Sequence, residues 1–144
     1  MWVRATVDAM ADPDLSEALM HATRALRRRM WSSLEDWDLS PHQARALRTV
    51  CSHDGARLSA VAAHLRIAPR SATEVVDSLE ARGLVARQPD PDDRRAVLVV
   101  ATDEGREVHE AADRIRGAAA AEFFGRLEAG EREQLAALLR RLVD

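Results

Sequence analysis

The segment from Leu58 to Thr102 restricts most strongly what this chain can fold into. Two short helical patterns are followed directly by two β-strand patterns, and the turn between the strands reads Asp90-Pro91-Asp92-Asp93-Arg94-Arg95. Two helices followed by a hairpin with arginines at its tip are typical of a winged helix-turn-helix. Such a module places one helix in the major groove of DNA and the hairpin beside the neighbouring backbone or minor groove. We call residues 58–102 the helix–hairpin segment.

Both helices of this segment have recognisable ends. The first is expected to begin with Ser59 as its N-cap, and the second to begin at Pro69 and to end at Gly83. Apolar residues recur every three or four positions and predict one buried face on each helix: Val61, Ala62 and Leu65, then Ala72, Val75, Val76 and Leu79. The β part is expected to consist of a strand over Leu84–Gln88, a turn over Pro89–Arg94 and a return strand over Ala96–Ala101.

The rest of the chain is predicted to be helical. One helix spans about 14–35, the next begins at Ser40 with a capping box to Gln43, and two more follow Thr102 with a break at Gly130. The expected fold is therefore mainly α with a small β-wing, in a single domain over 1–144 whose winged-helix lobe covers about 40–102.

The helices outside that lobe, at about 14–35 and 103–143, carry more apolar surface than one small core needs. They predict a homodimer formed through the N- and C-terminal helices. Such a dimer would present two winged-helix lobes to a pseudo-palindromic site on double-stranded DNA.

Composition and charge exclude several other classes of protein. The chain has no run of about eighteen apolar residues, so no membrane span is expected. Its amino terminus lacks the basic segment and apolar core of a secretion signal, and its one cysteine, Cys51, fits a reducing cytoplasm. The net charge is −3, and Arg57–Arg95 holds seven arginines against six acidic residues. Non-specific attraction to DNA should therefore be weak.

The second helix of the segment carries the expected base contacts. Its first turns, which in such modules reach base edges, expose Arg70, Ser71 and Thr73. Arg70 can bond guanine through O6 and N7, whereas Ser71 and Thr73 can bond a phosphate or a base. Glu74 can accept a hydrogen bond from cytosine N4. The alternative interpretation is that these residues form only the solvated side of an amphipathic helix.

The hairpin tip adds a second set of candidate contacts. Arg94 and Arg95 follow two aspartates, and a guanidinium at such a tip can enter a narrow, electronegative minor groove. A nearby carboxylate can hold that guanidinium in one rotamer. A turn of this kind alone is typical of any solvated hairpin, but its position directly after a recognition-type helix favours DNA binding.

Several runs of residues together resemble the MarR (multiple antibiotic resistance regulator) family. They are Leu58-Ser59-Ala60-Val61-Ala62, Ser71 to Gly83, Leu84-Val85-Ala86-Arg87, Asp90 to Arg95, and Val97 to Thr102 with Gly105. The resemblance is close over about residues 40–105, and the helical pattern on either side extends it over the whole chain. It implies a winged-helix dimer in which the terminal helices form the dimer interface.

The resemblance also implies roles for individual residues. The Asp-x-Arg pattern of the family falls on Asp93 and Arg95, which implies Arg95 as the minor-groove residue and Asp93 as the residue that orients it. Arg94 is then a phosphate contact. The chain departs from the family pattern at Ala68, where a capping Ser or Thr is common, at Ala101, and in its acidic reading face with Glu74 and Asp77.

We therefore expect a sequence-specific DNA-binding transcriptional regulator, a repressor relieved by a small-molecule effector. The resemblance implies an effector pocket between the DNA-binding lobe and the dimer helices, and Arg24, Trp31 and Trp37 are its candidate lining residues. Two alternatives stay open: a winged-helix protein-interaction module without DNA binding, and a redox-sensing regulator acting through Cys51.

No enzyme, cofactor or metal site is expected. The sequence has no phosphate-binding glycine loop, nucleophile elbow or catalytic triad pattern. Its five histidines show no ligand spacing typical of a metal site. Although His42, His53 and His64 are spaced eleven residues apart, they fall on different predicted helices.

Overall fold

In a computed structural model, which describes residues 13–143, helices account for most of the chain and three short strands form one antiparallel sheet. The elements in chain order are α1 (Pro13–Ser32), a 3₁₀ turn (Glu35–Trp37), α2 (Pro41–Ser52), β1 (Ala56–Arg57), α3 (Leu58–Leu65), α4 (Pro69–Ala81), β2 (Val85–Asp90), β3 (Asp93–Ala101), α5 (Asp103–Phe124) and α6 (Ala129–Arg141). The sheet order is β1-β3-β2. This confirms the predicted mainly helical winged helix-turn-helix with a small β-wing. We call α4 the recognition helix, and β2, β3 and their turn the wing.

The described part of the chain contains no helix that is both long and apolar enough to span a membrane. The expectation that the amino terminus carries no secretion signal concerns residues 1–12 in part. These residues lie outside the part of the chain that the structure describes.

The chain divides into two compact units. One runs from Leu34 to Arg116 and holds α2, α3, α4, the sheet and the first part of α5. The other joins the first 33 residues to residues 117–144, and its described part holds α1, the end of α5 and α6. Within this second unit, an Arg29 guanidinium nitrogen lies 3.3 Å from a Glu122 carboxylate oxygen and ties α1 to α5. Its exposed large apolar side chains are Leu15, Leu19, Met20, Leu138, Leu139, Leu142 and Val143.

The core of the 34–116 unit lies between helices α2, α3 and α4 and the sheet. Helix α2 buries the predicted stripe of Ala44, Leu47 and Val50, and the two later helices bury their predicted faces except for Val75, which is half-buried. Removing these side chains from water is the main favourable contribution to folding. The largest fully buried side chains are Leu34, Leu47, Val50, Val61, Val76, Leu79, Val85 and Val99.

The wing is longer, and its turn shorter, than the sequence suggested. Strand β2 continues to Asp90, which pairs with Asp93, so only Pro91 and Asp92 connect the strands. The predicted turn over Pro89–Arg94 is therefore wrong. The Asp90 carboxylate accepts a hydrogen bond from the Asp92 amide at 2.9 Å, and this side-chain contact closes a turn that the strand pattern alone does not reveal.

Most helix boundaries follow their sequence signals. The Gln43 amide donates to Ser40 Oγ at 3.1 Å and the Ser40 amide donates to Gln43 Oε1 at 2.8 Å, which confirms the predicted capping box of α2. Helix α4 begins at Pro69. Gly83, just after α4, has a φ of +73°, a conformation that glycine adopts without steric cost, and it is the expected stop.

Two predicted boundaries are wrong. The N-cap of α3 is Arg57 and not Ser59, because β1 pairs with β3 and the chain enters α3 directly from that strand. Gly130 is the second residue of α6 rather than the break before it. The helix instead starts after Glu128, whose amide donates to Glu131 Oε2 at 2.8 Å in a capping box. Strand β1 itself went unpredicted because two residues are too few to show a period.

A close approach of backbones fixes the start of α5 against the turn after α4. The Thr102 amide donates to the Leu84 carbonyl at 3.1 Å, and the Thr102 hydroxyl donates to the Gly83 carbonyl at 2.6 Å. A Cβ at Gly105 would lie 1.9 Å from the Leu84 carbonyl oxygen, which is far inside the contact distance. Only glycine fits at position 105 without moving α5.

We expect Gly105→Ala to lower the free energy of unfolding by about 1–3 kcal/mol or more, because the backbone must shift to admit the methyl group. The matched control is Gly117→Ala on the same helix, where a Cβ meets nothing within 4 Å. That change should raise stability by about 0.4–1 kcal/mol, since it restricts the unfolded chain. Urea unfolding followed by circular dichroism measures both. Wild-type stability of Gly105→Ala would contradict the close approach.

Candidate nucleic-acid interface

The recognition helix exposes the predicted base contacts on one side. Arg70, Ser71, Thr73 and Glu74 are all exposed, whereas the opposite side of α4 is buried in the core. The Arg70 side chain is 92% exposed, and its Nε lies 3.6 Å from Glu74 Oε1. An exposed pair of this kind contributes little stability, so the guanidinium can leave Glu74 for another acceptor at small cost.

The beginning of the recognition helix lacks a side-chain cap. Ala68 occupies the N-cap position without a side-chain hydrogen bond, as the sequence indicated. The Thr73 hydroxyl donates to the Pro69 carbonyl at 3.1 Å, one turn earlier. Thr73 can therefore still accept a hydrogen bond from a donor in the groove.

Helix α2 and the chain just before it support the recognition helix from behind. The Gln43 side chain donates to the Ser78 hydroxyl of α4 at 2.9 Å. The Arg82 guanidinium, at the end of α4, donates to the Asp38 carbonyl at 2.6 Å. The position of the recognition helix therefore depends on polar contacts at two points along its length as well as on the apolar core.

Two of the three acidic residues of α4 are held by an arginine of the wing. An Arg87 guanidinium nitrogen lies 2.6 Å from Asp77 Oδ1, and a second one contacts the Glu80 carboxylate. Burial alone would lower the pKa of Arg87, but hydrogen bonds and charges from Asp77 and Glu80 outweigh it and raise the pKa above its usual value. Asp77, one of the two acids that make the predicted reading face acidic, is thus paired with an arginine that it shares with Glu80.

Sequence reasoning missed Arg87 as a functional residue. Its partners lie ten and seven residues earlier, on a helix separated from β2 by the turn at Gly83. Neither distance matches the spacing of neighbours within one helix or one strand. The only available signal was an arginine on the strand that follows an acidic helix face.

A second ion pair holds the base of the wing. Arg57, the N-cap of α3, places guanidinium nitrogens 2.6 and 2.8 Å from Asp90 Oδ2. The backbone amide of Asp92 first, and then the Arg57 guanidinium, hold the pKa of the Asp90 carboxyl below its usual value. The hydrogen bond to Asp90 likewise raises the pKa of Arg57. These contacts link the entry of α3 to the turn of the wing.

The wing tip presents Arg94 and Arg95 to solvent. Asp93 Oδ1 accepts a hydrogen bond from the Arg95 backbone amide at 3.0 Å. The observed contact of Asp93 is thus with the main chain of Arg95, whereas the sequence analysis expected it to orient the guanidinium. Within the part of the chain that the structure describes, neither tip arginine takes part in an ion pair.

The near-zero charge of Arg57–Arg95 therefore separates into two parts. Arg87 is shared by Asp77 and Glu80, and Arg57 pairs with Asp90, so two arginines compensate most of the charge of three acidic residues. The positive charge left over lies on exposed groups, with Arg94 and Arg95 at the wing tip. A small net charge is consequently compatible with a locally positive surface.

The remaining candidate residues lie elsewhere. Arg24 is exposed and Trp31 is half-buried on α1, and Trp37 is half-buried in the 3₁₀ turn of the other unit. Cys51, near the end of α2, is half-buried, and burial raises the pKa of its thiol despite the opposing charge of Arg106. A raised pKa leaves little thiolate at neutral pH, which disfavours the redox-sensor alternative.

The chain is similar in sequence to a known protein family and to named transcriptional regulators. The model of the MarR family matches residues 39–97. An HTH-type transcriptional regulator of Mycobacterium tuberculosis is 39% identical over 140 residues, which cover 95% of each chain.

Two solved structures illustrate the similarity in three dimensions. CouR of Rhodococcus jostii RHA1, bound to p-coumaroyl-CoA, is 28% identical with a TM-score of 0.75, over 90% of this chain and 91% of its own. A mutant of MarR from E. coli, in complex with operator DNA, shares the fold with a TM-score of 0.75 at 23% identity, over 91% and 94% of the two chains.

We expect Asp90→Asn to destabilise the protein at neutral pH and to lose that effect in acid. Folding lowers the pKa of the Asp90 carboxyl, so its ionised form stabilises the native state. This stabilisation disappears as the pH falls through the lowered pKa. Urea unfolding between about pH 7 and pH 3 should show the two proteins converging. Asp92→Asn, at the exposed neighbour on the same turn, is the matched control and should be about as stable as wild type at neutral pH.

Proposed function

The chain belongs to the MarR family of transcriptional regulators, whose members are not enzymes, and we propose that it is a homodimeric, sequence-specific repressor relieved by a small-molecule effector. The observation that carries the proposal is the electrostatic arrangement of α4 and the wing. Asp77, Glu80 and Asp90 are paired with arginines of the fold, and Arg70, Arg94 and Arg95 are exposed where a winged helix meets DNA. With DNA as its partner, the protein would act in the cytoplasm.

In this proposal the recognition helix reads the major groove. Arg70 bonds guanine, and Ser71 and Thr73 bond a phosphate or a base edge. Glu74 accepts from cytosine once Arg70 has turned towards the groove. The exposure of all four side chains in the first turns of α4 supports these roles.

The wing acts beside that groove. Arg95 enters the minor groove, Arg94 contacts a phosphate, and Asp93 fixes the wing backbone from which Arg95 projects. The hydrogen bond from the Arg95 amide to Asp93 supports this last role. Operator DNA in the complex of E. coli MarR, a protein of the same fold, further supports DNA as the partner.

The dimer is proposed to form through the terminal helices, at about 14–35 and 103–143, which leaves the DNA-binding lobe at about 40–102. Leu15 is 65% exposed on α1, and Leu138 and Leu142 are 48% and 70% exposed at the end of the chain. Apolar side chains gathered on one unit are typical of a protein–protein interface. A two-fold dimer would cover them on both chains with the same surface.

The effector is proposed to bind beside Arg24 and Trp31; Trp37, the third expected contact, belongs to the other unit. Arg24 and Trp31 are seven residues apart on α1 and therefore lie on the same side of that helix. CouR, a protein of similar fold, binds p-coumaroyl-CoA, and this supports a small-molecule effector for this chain. An effector lowers DNA affinity only if it binds the DNA-free arrangement of the dimer more tightly than the DNA-bound one.

Selection of binding sites from random DNA tests the proposal directly. We expect an inverted repeat to be enriched, and gel retardation with random competitor to show two chains on each site. Sedimentation of the protein alone should show a dimer at micromolar concentration. A monomer would overturn the dimer, and the absence of any enriched sequence together with no retardation at low salt would overturn DNA binding in favour of a protein-interaction module.

We expect Arg95→Ala to weaken specific binding by about 1–3 kcal/mol and to reduce the slope of log affinity against log salt by about one. The physical reason is the loss of one guanidinium from the DNA surface. Fluorescence anisotropy at several salt concentrations measures both quantities. Arg126→Ala, which removes an exposed charge between α5 and α6, is the matched control and should bind as wild type does. Unaltered binding by Arg95→Ala would refute the role of the wing.

We expect Arg87→Ala to weaken DNA binding by roughly tenfold, because it leaves Asp77 and Glu80 as uncompensated charges facing the phosphates. Adding Asp77→Asn to that variant should recover part of the affinity. A double-mutant cycle on affinity, with unfolding curves to confirm that each variant is folded, isolates the coupling. Additive effects would show that Arg87 acts independently of Asp77.

A further inference from the structure

Two histidines that are eleven residues apart in the sequence lie side by side in the fold. His53 follows the last turn of α2 and His64 lies in the last turn of α3. Their ring centroids are 5.2 Å apart, with the ring planes inclined at 64°. In the sequence the two histidines fall on different predicted helices and indicate no site. Only the packing of α2 against α3 brings these helix ends together.

Both rings present the same nitrogen to a backbone carbonyl. His53 Nδ1 lies 2.8 Å from the Thr49 carbonyl oxygen, and His64 Nδ1 lies 2.9 Å from the Ala60 carbonyl oxygen. A carbonyl can only accept a hydrogen bond, so each Nδ1 must carry the proton. In the neutral rings, Nε2 then bears the free lone pair. Histidines that bind metals in proteins are held in this way, with the second ring nitrogen donating to a carbonyl or carboxylate.

The spacing of the ring centres is compatible with two imidazoles on one metal ion, as it is with an edge-to-face ring contact. An ion about 2.0–2.1 Å from each Nε2 lies about 3.2 Å from each ring centre, so a tetrahedral angle at the ion puts the ring centres about 5.2 Å apart. The observed centroid distance is 5.2 Å. Neutral imidazole is a preferred ligand of Zn²⁺, Ni²⁺ and Cu²⁺ and a poor one for Mg²⁺ or Ca²⁺.

The surroundings leave room for further ligands. The two rings line a surface cavity of about 280 Å³ together with Thr49, Gly55 and Arg57. The Arg57 charge, which would repel a cation, is engaged by the Asp90 carboxylate at 2.6 Å. Among the described residues, no third His, Cys, Asp or Glu joins the pair. Water or a small anion must therefore complete the coordination shell.

We propose that His53 and His64 form a two-histidine site for a divalent transition metal ion, and that a bound ion cross-links α2 to α3. Helix α3 leads through Arg66 into the recognition helix, so the cross-link acts on the support of α4. A hydrogen bond already joins the same two helices, from the Arg45 guanidinium to the His64 carbonyl at 3.0 Å. The proposal concerns ligands on this lobe and does not depend on the identity of the operator or the effector.

The test is titration of tag-free, chelator-treated full-length protein with Zn²⁺, by competition with a chromophoric chelator. We expect one zinc per chain, and His53→Gln or His64→Gln should each weaken binding by about tenfold or more, because a two-point attachment becomes a single one. His42→Gln, an exposed histidine at the other end of α2, is the matched control and should bind zinc as wild type does. Zinc should also raise the melting temperature of wild type but not of the two variants.

A second measurement needs no variant to fold. The electron paramagnetic resonance spectrum of Cu²⁺ bound to wild type should show two imidazole nitrogens. Equal zinc affinity of wild type, His53→Gln and His64→Gln would overturn the proposal. A loss with His42→Gln as large as with the other two, or a copper spectrum of wild type with one nitrogen, would overturn it as well.

Discussion

The joint between the recognition helix and the wing is the constraint on which the rest of the DNA-binding lobe depends. Gly83 takes a left-handed conformation with φ of +73°, and Leu84 then donates to the Leu79 carbonyl at 3.0 Å and turns into β2. Thr102 donates hydrogen bonds to the carbonyls of both Gly83 and Leu84. Gly105 allows α5 to approach the Leu84 carbonyl so closely that a side chain would not fit. Backbone contacts this close have little freedom, so the angle between helix and wing is fixed by the fold itself.

Once the recognition helix and the wing are positioned, ion pairs between elements determine which charges remain unpaired on the surface. Arg87 can reach Asp77 and Glu80 only because β2 runs back alongside α4. Arg57 can reach Asp90 only because β1 lies next to β3 in the same sheet. Each of these arginines compensates acidic charge and ties two elements together. The result is a surface whose arginines act singly, which suits recognition of particular sites more than general attraction to DNA.

The sequence by itself determined the order of the six helices and of the two wing strands. Local signals were sufficient for this: the Ser40–Gln43 capping box, Pro69, Gly83 and the spacing of apolar residues each act within a few positions of the chain. The family resemblance supported the winged-helix fold and implied Arg95 as the minor-groove contact. Where local signals were absent, as at β1 and the Pro91-Asp92 turn, prediction failed.

Only the tertiary structure decided how charges and rings pair across elements. Three contacts show this: Arg87 with Glu80, Arg57 with Asp90, and His53 with His64. Each contact joins residues seven or more positions apart, on elements whose relative placement depends on the packed core. Composition gave the correct sum of charges but not their arrangement. The physical reason is that ion pairs and metal-ligand geometry depend on distances of a few ångströms, which a sequence pattern cannot define until the hydrophobic core has set the backbone.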